Sequence, residues 1–137
     1  MMSKLDLERK IECPLCGQVM SQVIISKHSY SIMVDHCREC GGYWFDSFEL
    51  DNVLDDVSRR EGLPFNNCSV NEAEFRCPRC EGVVETKLLY DIKVDLCLNC
   101  GGIWLDKGEL GEVQNAYRFY HNTNKMVELM HEALVAN

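Results

Sequence analysis

The chain has 137 residues, with 14 basic and 22 acidic side chains and a formal charge of −8. No apolar run approaches the ~20 residues of a membrane helix, and the charged opening from Met1 to Lys10 lacks the apolar core of a secretory leader. The small basic groups (Lys4, Arg9 and Lys10, then Arg59 and Arg60) have acids beside them, which weighs against direct nucleic-acid binding, where a basic patch or stripe is the rule.

The chain opens its first structured unit at Cys13-Pro14-Leu15-Cys16-Gly17. Two β-rich runs follow, Val19 to Ile25 and Tyr30 to Asp35, separated by the turn-like Ser26-Lys27-His28-Ser29. A second cysteine pair, Cys37 and Cys40, comes next, then Gly41-Gly42-Tyr43-Trp44. Asp46 and Glu49 stand at capping-box spacing ahead of an apolar series, Leu50, Val53, Leu54 and Val57. That predicts a helix ending near Arg59-Arg60-Glu61-Gly62, with basic residues in its last turn and glycine after it. Residues 63–75 have no periodicity and read as a linker; its lone Cys68 lacks a neighbouring cation that would activate it.

The plan then repeats. Cys77-Pro78-Arg79-Cys80 leads to β-rich runs over Val83 to Leu89 and Ile92 to Leu96, with a shorter turn at Tyr90-Asp91. Cys97, Cys100, Gly101-Gly102, Trp104, Asp106 and Glu109 take the places of their first-copy counterparts. A helix is predicted from about Lys107, with Leu110, Val113, Tyr117 and Tyr120 on one face. Asn122-Thr123-Asn124 suggests a break or bend, beyond which Met126, Val127, Met130 and Leu134 return to helical spacing. The expected division is 1–62, first ribbon plus helix; 63–75, linker; 76–137, second ribbon plus C-terminal helical segment.

Eight of the nine cysteines lie in these four Cys-x-x-Cys pairs. Two sulfurs on one tight turn reach a single ion, and two such turns complete a tetrahedron. Cys13, Cys16, Cys37 and Cys40 are therefore expected to hold one ion, and Cys77, Cys80, Cys97 and Cys100 another. Zinc is the first choice; tetrahedral sulfur also suits iron, as in rubredoxin-like sites. Disulfides would need an oxidising compartment, and the opening residues point to the cytoplasm instead. Units of about 60 residues bury too little surface to be comfortable without a staple. Each zinc held by four thiolates carries a net −2, so two centres would move the total charge to about −12.

The remaining repeated residues read as structural. The glycine pairs allow positive φ and close approach. Each tryptophan is expected to pack over its own hairpin and shield the thiolates. Asp46 and Asp106 read as helix caps in preference to catalytic acids, and Asp35 and Asp95 as groups that orient the knuckle or face solvent. His36 is matched by Leu96, so the site does not need an imidazole; His28, His121 and His131 lack ligand spacing.

The string Cys-Pro-x-Cys, then Asp-x-Cys-x-x-Cys-Gly-Gly-x-Trp-[Phe/Leu]-Asp-x-x-Glu-Leu, resembles the bacterial zinc-ribbon family described as a transcription factor zinc finger of the transcription factor IIB type. Both copies match, over roughly 12 to 50 and 76 to 110; Ser47-Phe48 departs from the polar-plus-glycine pattern of Lys107-Gly108. The resemblance implies that the eight paired cysteines are zinc ligands, and it implies a link to transcription. The expected fold is small α+β and metal-stabilised: two ribbons with rubredoxin-like knuckles on β-hairpins, each followed by a helix. The expected function is a non-enzymatic zinc-binding adaptor for a protein partner, with a homodimer through the C-terminal helix as one form of that contact. Alternatives are a transcription-associated factor that binds RNA polymerase or nucleic acid, or a thiol-redox or iron protein. A hydrolytic zinc needs an open coordination position, which four cysteines do not leave.

Overall fold

A computed structural model describes residues 10–26, 31–54, 63–66, 70–120 and 130. In chain order these form β1 (Ser21–Ser26), β2 (Ser31–His36), β3 (Tyr43–Phe45), α1 (Glu49–Leu54), β4 (Asn71–Glu72), β5 (Val84–Leu89), β6 (Ile92–Cys97) and β7 (Ile103–Leu105). Helix α2 follows over residues 109–120. The fold is the expected small α+β class, an antiparallel sheet with a helix after each ribbon. The expected end of the first helix, the first hairpin tip, Cys68 and the break near 122–124 lie outside the described residues.

Both expected hairpins form. β1 pairs with β2 from Ser21↔His36 to Ser26↔Ser31, and β5 with β6 from Val84↔Cys97 to Leu89↔Ile92. The second turns on Tyr90 and Asp91, both at positive φ (51° and 65°). That is the backbone of a type I′ turn, whose twist matches that of the strands it joins.

The sequence pattern did not reveal the short third strand in each copy. β3 pairs with β2 and β7 with β6, and β3 and β7 then pair with each other. One seven-stranded sheet results, in the order β1-β2-β3-β7-β6-β5-β4. The central register sets Trp44 opposite Trp104, Tyr43 opposite Leu105 and Phe45 opposite Ile103. Exchanging the two copies maps this register onto itself, as in an isologous dimer contact.

The linker is also more ordered than its composition suggests. Its amides at Asn66, Val70 and Ala73 donate to the carbonyls of Leu88, Thr86 and Val84, and β4 pairs with Glu85 and Thr86. Its described residues lie along the outer edge of β5 and satisfy backbone groups that would otherwise be exposed.

Successive residues of β3 and β7 point to opposite faces of the sheet. On one face Phe45, Ile103 and Leu105 join Ile32, Val34, Leu89 and Val94, and the helices add Leu50, Val53, Leu54 and Val113. Both copies thus contribute to a single aliphatic core. Tyr117 packs at its margin with its ring edge toward Tyr90, whereas Tyr120, expected on the buried face, is largely exposed. On the other face Trp44 and Trp104 lie with Ile11, Met20, Val84 and the buried cysteines of both copies.

The tryptophans cross over. A Cβ on Gly102 would lie 2.1 Å from Cζ2 of Trp44, and one on Gly42 would lie 2.3 Å from Cζ2 of Trp104. Each indole therefore occupies the space left by the missing side chain in the other copy. This corrects the expectation that each would cover only its own hairpin: with Trp44 and Trp104 paired at the centre of the sheet, the nearest open backbone belongs to the opposite ribbon.

Gly42→Ala and Gly102→Ala should each destabilise the protein by about 1–3 kcal/mol through overpacking against a ring that is wholly buried. Gly111→Ala, in α2 with nothing within 4 Å of the new methyl, should instead stabilise it by about 0.5–1 kcal/mol. Denaturant titration of the three variants separates the two directions.

Candidate metal centres

The hairpins bring each pair of Cys-x-x-Cys turns side by side. Hydrogen bonds from Gly17 N to Cys13 O, Gly41 N to Cys37 O, Glu81 N to Cys77 O and Gly101 N to Cys97 O close the four turns. The chain leaves three of them through glycine at φ of 79–80°, but the Cys77 turn uses Glu81 at φ 62°. A side chain in that left-handed region costs about 1–2 kcal/mol relative to ordinary backbone.

In the first centre Cys13 and Cys40 lie 3.8 Å apart at Sγ, and Cys16 and Cys37 lie 3.6 Å apart. In the second, Cys77 and Cys100 are 3.6 Å apart, and Cys80 and Cys97 are 3.5 Å apart. All four sulfurs of each centre fall within 4.8 Å of one another. A tetrahedral zinc with ~2.3 Å Zn–S bonds has S···S edges of about 3.8 Å, whereas a disulfide needs ~2.05 Å. The donor set and its spacing fit a tetrahedral metal.

Backbone amides turn toward the same sulfurs. Leu15 N donates to Cys13 Sγ, Cys40 N to Cys37 Sγ, Arg79 N and Cys80 N to Cys77 Sγ, and Cys100 N to Cys97 Sγ, at 3.3–3.4 Å. Such donors favour thiolate over thiol. Sulfurs this close still compete for protons. A hydrogen bond from the Cys77 thiol pulls Cys100 down to about 5, while that same contact and desolvation push Cys77 far up. Cys40 is pushed up to about 12 by its contact with Cys16 and by desolvation. A divalent cation removes the conflict by stabilising all four thiolates together.

Around the centres, the repeated acids serve the fold in a way only partly foreseen. The backbone amide of Asp46 donates to Glu49 Oε1 and that of Asp106 to Glu109 Oε2, which is the glutamate half of a capping box. The aspartate carboxylates are engaged elsewhere: Trp44 Nε1 donates to Asp46 at 3.0 Å and Trp104 Nε1 to Asp106 at 2.9 Å. Each aspartate thereby fixes an indole at the point where its helix begins. His36 is no ligand; its Nδ1 lies 2.9 Å from Gly42 O and its ring stacks on Tyr43.

Asp35 does not face solvent. It is buried, as is Arg79, whose guanidinium reaches Asp35 Oδ2 at 3.1 Å and Asp46 Oδ1 at 3.0 Å. Desolvation lifts Asp35 to about 6 despite Arg79, with Asp46 adding to the rise. In the second copy Asp95 accepts a hydrogen bond from Thr86 Oγ1 instead, at 2.7 Å. Sequence reasoning missed Arg79; the available signal was a cation inside one cysteine turn where the other copy has Leu15.

Two predictions concern this surround. Glu81→Gly should raise the stability of the metal-loaded protein by up to about 1 kcal/mol by relieving the left-handed residue, read as a higher melting temperature. Glu109 is lifted to about 7, first by desolvation and then by repulsion from Asp106 and Asp95, against the hydrogen bond from Asp106 N. A carboxyl raised on folding contributes stability that is complete below its unfolded pKa and disappears as pH rises through the folded one. Glu109→Gln should therefore gain on the parent between pH 6 and pH 8; a constant difference in melting temperature across that range would contradict it.

Searches of curated proteins and of solved structures return no significant match. The model of the family described as transcription factor zinc-finger, a zinc ribbon of the transcription factor IIB type, matches residues 12–56 and again 76–115. Each matched region holds one complete set of four gathered cysteines. With more than half of its length matched, the chain belongs to the transcription factor zinc-finger family, and carries its zinc ribbon twice.

Proposed function

We propose that this protein is a non-enzymatic adaptor in the cytoplasm. Its eight paired cysteines (Cys13, Cys16, Cys37 and Cys40; Cys77, Cys80, Cys97 and Cys100) hold two structural zinc ions, and its surface serves a protein partner. The observation that carries this reading is that each centre offers four thiols within 4.8 Å and would leave a tetrahedral ion no open position. The repeated residues beside the centres fill space, close turns or start helices, and none is left over as an acid or base aimed at a substrate. The net charge of −8, which two zinc–thiolate centres make more negative, favours a protein partner over nucleic acid. No helix among the described residues is long and apolar enough to cross a membrane.

The expected partner surface includes the segment from Met126 to Leu134, of which only Met130 is described; it is largely exposed. Contact through this segment takes either a second copy of the chain or another protein. The family membership supports a second reading, a transcription-associated factor that contacts RNA polymerase protein. Both readings share the structural zinc and differ in the partner.

Purified full chain should contain two zinc ions and no visible colour; a red protein containing iron would displace zinc from the proposal. It should also show no affinity for duplex or single-stranded DNA at low salt, where phosphate contacts are strongest. Binding that falls steeply with added salt would overturn the adaptor reading. Retention of purified RNA polymerase on immobilised chain would select the second reading.

A further inference from the structure

The two cysteine turns that open the copies differ in one residue with large consequences. Leu15 is 55% exposed in the first, whereas the Arg79 side chain in the second is 1% exposed. Arg79 sits between Cys77 and Cys80, and its backbone amide donates to Cys77 Sγ at 3.3 Å. Its position is therefore set by the second centre. Its guanidinium serves the first ribbon, with Nε and Nη2 on the two carboxylate oxygens of Asp46 (3.0 and 3.2 Å) and Nη2 also on Asp35 Oδ2 (3.1 Å).

Both acids belong to the first ribbon. Asp35 lies in β2, two residues before Cys37, and Asp46 receives the Trp44 indole at the start of α1. Among the described residues Asp35 Oδ1 has no hydrogen-bond partner, so the carboxylate relies on Arg79 through its other oxygen. A buried charge that loses its partner is strongly destabilised. The equivalent position in the first copy is Leu15, which carries no charge to send the other way.

We propose that Arg79 couples the two metal centres, so that an ion in the second strengthens binding in the first. The inference rests on reading both clusters as zinc sites. With the second cluster filled, the Cys77 turn is rigid and the guanidinium is held over Asp35 and Asp46. With it empty, the turn relaxes, the carboxylates lose their counter-charge, and β2 and the start of α1 loosen around Cys37 and Cys40. Coupling of binding free energies is reciprocal, so the second centre gains as much from the first. The asymmetry lies in the residue that transmits the effect.

Native mass spectrometry of the full chain, titrated with zinc against a competing chelator, resolves the species with no, one and two ions. In the parent the one-ion species should be scarce at half saturation, and Arg79→Leu should raise it severalfold; equal one-ion fractions in the two proteins would overturn the coupling. Cys100→Ser supplies a test that does not require the Arg79 variant to fold. Cobalt affinity at the first centre, followed by thiolate-to-cobalt absorption, should fall about tenfold or more relative to the doubly loaded parent, within the usual range of coupling between sites. An unchanged affinity would overturn the proposal. A parent chain that never takes up two ions would refute the zinc reading itself, whereas two ions bound independently would refute the coupling alone.

Discussion

The antiparallel pairing of β3 with β7 is the constraint on which the other contacts depend. Three residues from each copy meet in a self-complementary register, with the two tryptophans opposite each other. This contact turns two three-stranded ribbons into one sheet. It assigns Phe45, Ile103 and Leu105 to the aliphatic side and Trp44 and Trp104 to the cysteine side. It also brings Gly42 and Gly102 each under the other copy's indole. The metal centres staple the hairpin ends, but the arrangement of one ribbon against the other comes from the strands and the rings.

Electrostatics reinforces the packing unequally. Both copies place an aspartate at the indole, buried in the first and half-buried in the second, and a glutamate at the helix start. Among the described residues only the first receives a buried guanidinium, and it comes from the second. In the second copy Thr86 supplies a neutral hydrogen bond to Asp95. Carboxyls in this environment resist ionisation, with Glu49 and Glu109 both lifted to about 7, first by desolvation. The acidic total of the chain thus overstates the charge within its folded centre.

Much of this was legible because it is local. Cysteine spacing, β-branched runs and the Asp-x-x-Glu signal act over a few residues, and they placed both hairpins and both helix starts. The strand-like pairing within the linker was not legible because edge pairing through amides at Asn66, Val70 and Ala73 leaves no periodic trace in side-chain types. β3 and β7 escaped notice because three residues cannot display an alternation, and their role comes from a partner about 60 positions away. The crossing of the indoles could not be read from Gly42 and Gly102 either, since a glycine beside a knuckle has a sufficient local explanation. Arg79 carries no local signal of burial, because only the meeting of the copies encloses it.

A self-matching register has a further meaning for how the halves associate. Each ribbon offers the other the same three-residue edge and the same cleft above its glycine, so the contact has the symmetry of a two-fold dimer. Here both participants belong to one polypeptide. The union is then governed by an effective concentration fixed by the intervening chain, and dilution does not weaken it. A central edge of each ribbon is already occupied by the other, which withholds it from any second molecule.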